Sequence, residues 1–150
     1  MPPSNQAESN RALQAVSSPA PRARFRVLLV EDDPAFSDFL AWSLVGRGYA
    51  VESAENLAEA LMLLGEGQGP ARFDLVLSDI ALPGAPGTDL LFSHAVVARK
   101  TPLILMSGFA TNELQAFVAA CGAELLSKPF KLDSLFQCVT DALPQSAERA

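Results

Sequence analysis

Glu31-Asp32-Asp33 follows the apolar run Val27-Leu28-Leu29-Val30, and Asp79 follows Leu75-Val76-Leu77-Ser78. Both runs read as buried strands. Set side by side and parallel, they bring at least three carboxylates to one edge of a sheet, and a divalent cation would relieve their repulsion. Two further strand ends add complementary groups. Ser107 follows the run from Pro102 to Met106 with a hydroxyl, and Lys128 follows Glu124 to Ser127 with an ammonium. Together these groups suit phosphoryl transfer, in which metal and amine offset charge on the equatorial oxygens while a carboxylate attacks in line. Asp79 reads as the nucleophile, because it stands alone at its strand end before a loop free to open. Glu31 and Asp32, adjacent in the chain, read as metal partners, and oxygen-only ligation with retained waters suits magnesium. Asp33, just ahead of Pro34, reads as a helix-start residue rather than a ligand.

Alternating strands and helices must position these groups. Pro34 opens a helix carrying Phe36, Phe39, Leu40, Ser43 and Leu44 at helical spacing, ended by Gly46 and Gly48. Tyr49 to Ser53 reads as a short strand. Leu57, Ala60, Leu61 and Leu64 form the inner stripe of a second helix that stops at Gly65-Glu66-Gly67. The loop from Ala81 to Gly87, with two prolines and two glycines, is not helical. Thr88 is expected to cap the third helix, with Leu91, Ala95 and Ala98 inward, and His94 falls on its inner side as a packing residue. Thr111 caps a fourth helix with Leu114, Phe117 and Val118 inside. Leu132, Leu135, Phe136, Val139 and Leu143 line the fifth. Trp42 reads as half-buried packing. Five such units with continuous apolar strands imply an α/β fold, a doubly wound five-stranded parallel sheet with five helices. In such sheets ligands bind beyond the carboxyl ends of the strands, where both acid groups lie.

Composition narrows the classes. With 150 residues and 49% apolar content the chain suits one domain with an ordinary core. Residues 1–24 are rich in Ser, Pro, Ala, Gln and Asn and read as a disordered N-terminal tail, with a short helix near 12–16 as an option. Residues 25–143 form the domain, and 144–150 a flexible C-terminal tail. Net charge is -6; the first 26 residues carry four arginines against Glu8, or +3, leaving -9 for the rest. So acidic a domain is expected to be a poor non-specific nucleic-acid binder. No apolar run reaches the ~20 residues of a membrane span. Cys121 and Cys138 sit in apolar, helix-like stretches without zinc spacing, so both read as reduced packing residues of a cytoplasmic protein.

Four motifs then coincide: Val27-Leu28-Leu29-Val30-Glu31-Asp32-Asp33-Pro34, Leu77-Ser78-Asp79-Ile80-Ala81-Leu82-Pro83, Met106-Ser107 and Lys128-Pro129-Phe130. In this order, at successive strand ends, they resemble the receiver domain of two-component response regulators of the stand-alone, chemotaxis-regulator kind. The resemblance covers Phe25 to Leu143 and implies a flavodoxin-like sheet of order 2-1-3-4-5. By it Asp79 is the phospho-acceptor, Asp32 a direct magnesium ligand, and Glu31 a ligand through water. The Ala81 carbonyl completes the metal shell, Ser107 binds a phosphoryl oxygen, and Lys128 pairs with acceptor and phosphate. The implied partners are a sensor histidine kinase or phosphotransfer protein upstream and a protein target on residues 111–143 downstream, with neither nucleic acid nor membrane.

Three departures from that pattern bear on switching. Leu125 stands where the family carries a rotating Tyr or Phe, Gly108 replaces Ala, and Ala85-Pro86-Gly87 replaces Met-Asp-Gly. Leu125 therefore supports an alternative, an interaction module that keeps the fold without switching by phosphate. An FMN binder on the same topology is disfavoured, since Glu31 to Asp33 would repel the phosphate. A phosphatase with a carboxylate nucleophile needs two aspartates two apart in one motif, which Glu31 and Asp33 do not supply. The expected role is a receiver that phosphorylates itself from a phosphohistidine donor, not a turnover enzyme. With the chain ending soon after the fifth helix, it is expected to act through protein contacts or as a relay intermediate.

Overall fold

The computed structural model describes residues 25–65 and 67–144. The expected N-terminal tail, its optional helix and all but the first residue of the C-terminal tail lie outside them. Five strands, β1 (Arg26–Val30), β2 (Ala50–Ala54), β3 (Leu75–Asp79), β4 (Leu103–Ser107) and β5 (Glu124–Ser127), form one parallel sheet of order β2-β1-β3-β4-β5. This is the expected flavodoxin-like order. The connections carry α1 (Pro34–Gly46), α2 (Leu57–Leu64), a 3-10 turn (Gly87–Phe92) followed by α3 (His94–Val97), α4 (Asn112–Ala120) and α5 (Leu132–Ala142).

Strand alternation divides the core into two layers. Val27, Leu29, Leu75, Leu77, Ile104 and Met106 face α1 and α5, meeting Leu40, Leu44, Leu135 and Val139. Leu28, Val30, Val76, Leu103 and Leu105 face the other helices, meeting Leu57, Ala60, Leu64, Leu90, Ala95 and Val118. Because β1, β3 and β4 are covered on both sides, their sequences run apolar without interruption. Each fully buried Leu or Ile there contributes about 1.5–3 kcal/mol from apolar burial. The strand ends are thereby rigid supports for whatever they carry.

Local chemistry sets the helix limits. The Asp33 carboxylate accepts from Ala35 N–H at 3.1 Å and Pro34 begins α1, which bears out the reading of Asp33 as a helix-start residue. Thr111 caps α4 through Leu114 N–H as expected, and Gly65 ends α2 in the left-handed region. Thr88 does not cap a helix. Instead Ser93 Oγ donates to Leu90 O at 2.7 Å and accepts from Val96 N–H, so this side chain breaks the segment into the 3-10 turn and a short α3. Leu91 and Ala95 face the core, but with so short a helix Ala98 and His94 are exposed. Trp42 is also exposed, at 77%, because seating Leu40 and Leu44 on the sheet turns residue 42 to the far side of α1. Phe117 is likewise exposed, Val118 having taken the inward position in α4. Cys121 and Cys138 are free and half-buried.

Candidate active site at the carboxyl ends of the strands

β1 and β3 are neighbours in register, Val30 opposite Ser78, so the residues that end them meet. Glu31 is fixed by its N–H to Ala54 O at 2.9 Å, while its carboxylate accepts from Asp33 N–H at 3.1 Å. Glu31 and Asp79 are buried, 3% and 7% exposed, and Asp32 faces solvent. Carboxylate oxygens of Glu31, Asp32 and Asp79 lie within 4.8 Å of one another, the one such group of three among the described residues. Lys128 Nζ reaches in from the end of β5, 3.0 Å from Asp79 Oδ2 and 3.4 Å from Glu31 Oε1. The structure thus assembles four of the six residues singled out from the sequence into one cluster.

The other two flank it. Ala81 N–H donates to Asp79 Oδ1 at 3.3 Å, which seats the loop after β3 over the carboxylate. Ser107 ends β4, and its Oγ accepts from Phe109 N–H at 3.0 Å. Its backbone carbonyl accepts from Lys128 N–H at 2.7 Å and so joins the ends of β4 and β5. Phe109 itself is 86% exposed.

Electrostatics follow from burial. Loss of water raises the Glu31 carboxyl above its usual range, assisted by the charge of Asp79 and opposed by the Asp33 N–H and by Lys128. Burial alone would lower Lys128, but its hydrogen bonds and charge interactions with Asp79 and Glu31 outweigh that, and the ammonium stands above its ordinary value. One cation against three carboxylates leaves the site negative. A hard divalent cation fits this all-oxygen set, in which one open carboxylate lies beside two buried ones.

Two contributors escaped sequence reasoning. Gly87, seen only as part of a turn-rich loop, lies so close to β3 that a Cβ there would come 2.0 Å from Asp79 O. Its Pro-Gly setting marked a turn but not the close approach. Phe36, read as a core-facing residue of α1, has Lys128 Nζ 4.8 Å from its ring centroid. A cavity of about 650 Å³ opens here, and Phe36, Phe39, Phe130 and Leu132 form its apolar wall beside the acids.

Comparison with known proteins agrees with this geometry. The family model described as the response regulator receiver domain matches residues 27–140. The transcriptional regulatory protein GlrR of Escherichia coli is 35% identical over 124 residues, covering 81% of this chain and 27% of that protein. The transcriptional activator protein PfeR of Pseudomonas aeruginosa is 36% identical over 144 residues, covering 95% and 44%. The chain spans about a quarter of the length of GlrR and of the Candida albicans transcription factor SKN7. Among solved structures, a CheY-like receiver domain from Methanospirillum hungatei superposes with a TM-score of 0.71 at 30% identity, over 85% of this chain and 99% of that one. The response regulator TrrA of Thermotoga maritima, solved with Mg(2+)-BeF, gives 0.66 at 29% identity over 79% and 99%. The four motifs, the sheet order, the carboxylate cluster and the family match are in accord: this chain belongs to the response regulator receiver domain family.

Proposed function

We propose that this protein is a phosphorylation-dependent signalling receiver whose acceptor is Asp79. An Asp79 carboxylate oxygen attacks the phosphorus of a phosphohistidine on a sensor kinase or phosphotransfer protein. The O–P bond forms as the N–P bond breaks, and the imidazole leaves with the electron pair and takes up a proton. Glu31, Asp32, Asp79 and the Ala81 carbonyl would hold Mg2+, which offsets the charge gathering on the phosphoryl oxygens. Lys128 pairs with Asp79 and one phosphoryl oxygen, and the Ser107 hydroxyl binds another. Water later cleaves the acyl phosphate, so the protein handles its own phosphoryl group and turns over no separate substrate.

The observation that carries this reading is the Lys128 ammonium, 3.0 Å from a buried Asp79 beside two further carboxylates. Output runs through protein contact or relay on the surface of residues 111–143. The acidity of the described residues argues against nucleic acid as the partner, and two free thiols support a cytoplasmic setting. Asp79→Ala should abolish magnesium-dependent labelling by acetyl phosphate or a cognate kinase. Persistent labelling of that variant would falsify the assignment.

One observation favours a second reading. Leu125 is half-buried and packs against the layer containing Leu105 and Val118, an aliphatic plug where the family usually carries a rotating aromatic. On this reading the domain binds its target without switching. Unchanged target affinity on adding magnesium and beryllofluoride would favour it.

A further inference from the structure

We infer that Phe36 is a positioning residue for Lys128, holding the ammonium over an aromatic face so that it stays aimed at Asp79. This rests on the proposed role of the site. Lys128 has a flexible four-carbon stem, and its side chain is 26% exposed, so water competes for its charge. Three neighbours restrain it: Asp79 at 3.0 Å, Glu31 at 3.4 Å, and the Phe36 ring with its centroid 4.8 Å from Nζ. That last distance is within the range at which a ring's negative face attracts a cation.

The ring also meets the segment that carries the lysine. Phe36 and Phe130 lie 6.2 Å apart between centroids, tilted by 54°, within the favoured range for aromatic pairs. One side chain from the first turn of α1 therefore touches both the first and the third residue of Lys128-Pro129-Phe130. Asp33 and Pro34 start α1 immediately upstream, which fixes where the ring stands.

The three restraints are not equivalent during the proposed reaction. Glu31 and Asp79 are also candidate metal ligands, and Asp79 is the candidate acceptor, so both carboxylates have competing tasks. Phe36 has none. In the loaded site it is the neighbour that keeps the ammonium from turning outward while the carboxylates are engaged.

The test compares wild type with Phe36→Leu, Phe36→Tyr and a protein carrying pentafluorophenylalanine at position 36. The fluorinated ring keeps the shape of phenylalanine but reverses its quadrupole. In wild type the Lys128 ε-protons should show an upfield ring-current shift that Phe36→Leu removes. Labelling by acetyl phosphate with magnesium should slow roughly three- to tenfold in Phe36→Leu and in the fluorinated protein, on the usual strength of such contacts, and return near wild type in Phe36→Tyr. A fluorinated protein that reacts like wild type would make the ring mere packing and overturn the inference, as would ordinary ε-proton shifts in wild type. If wild type takes up no phosphoryl group at all, the proposed function fails instead, and the ring-current comparison still decides where the ammonium sits.

Discussion

Glu31 is a carboxylate held almost out of water against Asp79, and its raised proton affinity has a direct consequence for stability. The folded state holds this proton more tightly than the unfolded chain, whose carboxyl titrates near the ordinary 4.5. As pH rises above that value the folded state binds more protons than the unfolded, and stability falls. Glu31→Gln removes this loss while keeping an acceptor for Asp33 N–H. In chelator at pH 7 the variant should be more stable by about 1 kcal/mol, as relief of a functional site often is. Below pH 4 the gain should vanish, and magnesium should stabilise wild type more than the variant. Thermal melting across pH and magnesium concentration measures all three, and a variant that melts lower in chelator at pH 7 would contradict the argument. Lys128 follows the same sign in a higher pH range: its raised value contributes stability that is full below about 10.5 and lost as pH climbs through the higher folded value. A second outcome concerns phosphoryl lifetime. Ala81 and Phe109 offer no side-chain hydrogen bond to orient attacking water, so Ala81→Asn should speed decay of the labelled protein. A rate equal to or below that of wild type would remove Ala81 as a determinant. At this scale the acids and the lysine were legible, because their types and strand-end positions imply their chemistry. The Phe36 contact was not, since helical spacing says that a ring is near the core but not which charge it faces.

At the level of elements, two backbone positions invite opposite substitutions. A side chain at Gly87 would press on the Asp79 carbonyl at 2.0 Å and on Ser78 Oγ at 2.9 Å, and both lie in a strand packed on two sides. Gly87→Ala should cost about 1–3 kcal/mol, as overpacking of a rigid core does, and should slow labelling by shifting Asp79. An unchanged denaturation midpoint would mean that the loop yields instead. Lys100, just past α3, adopts a left-handed φ of 59°, where Thr101 N–H returns to Ala95 O. Lys100→Gly should raise stability by up to about 1 kcal/mol, because glycine occupies that region without a Cβ penalty. Loss of stability would show that the lysine side chain has a compensating role. The strands were readable because burial on both faces leaves unbroken apolar runs. The stretch after Gly87 was misread because Thr88 and Ser93 are both competent caps, and only the tertiary setting of Ser93 between Leu90 O and Val96 N–H decides between them.

Across the whole molecule, the carboxylate cluster lies at the centre of the sheet and the proposed output surface toward its β5 edge, so one route for a signal crosses β4. Leu125 sits on that route. If it lacks the two arrangements an aromatic would supply, Leu125→Tyr should enlarge the amide shift changes over 111–143 caused by magnesium and beryllofluoride. Equal changes in both proteins would clear Leu125. The class of architecture was legible from alternating strands and helices, whereas strand order came from resemblance, because periodicity does not say which strands are neighbours. One feature suggests a second route to the edge. The backbone of Lys128 is tied to Ser107 O at 2.7 Å while its side chain reaches Asp79. A change in charge at Asp79 should therefore pull on the residue that hems β5 to β4, and the tightness of that seam would become a reporter of the site. Amide hydrogen exchange along β5 should slow on adding beryllofluoride and quicken in Lys128→Ala, even with Leu125 in place.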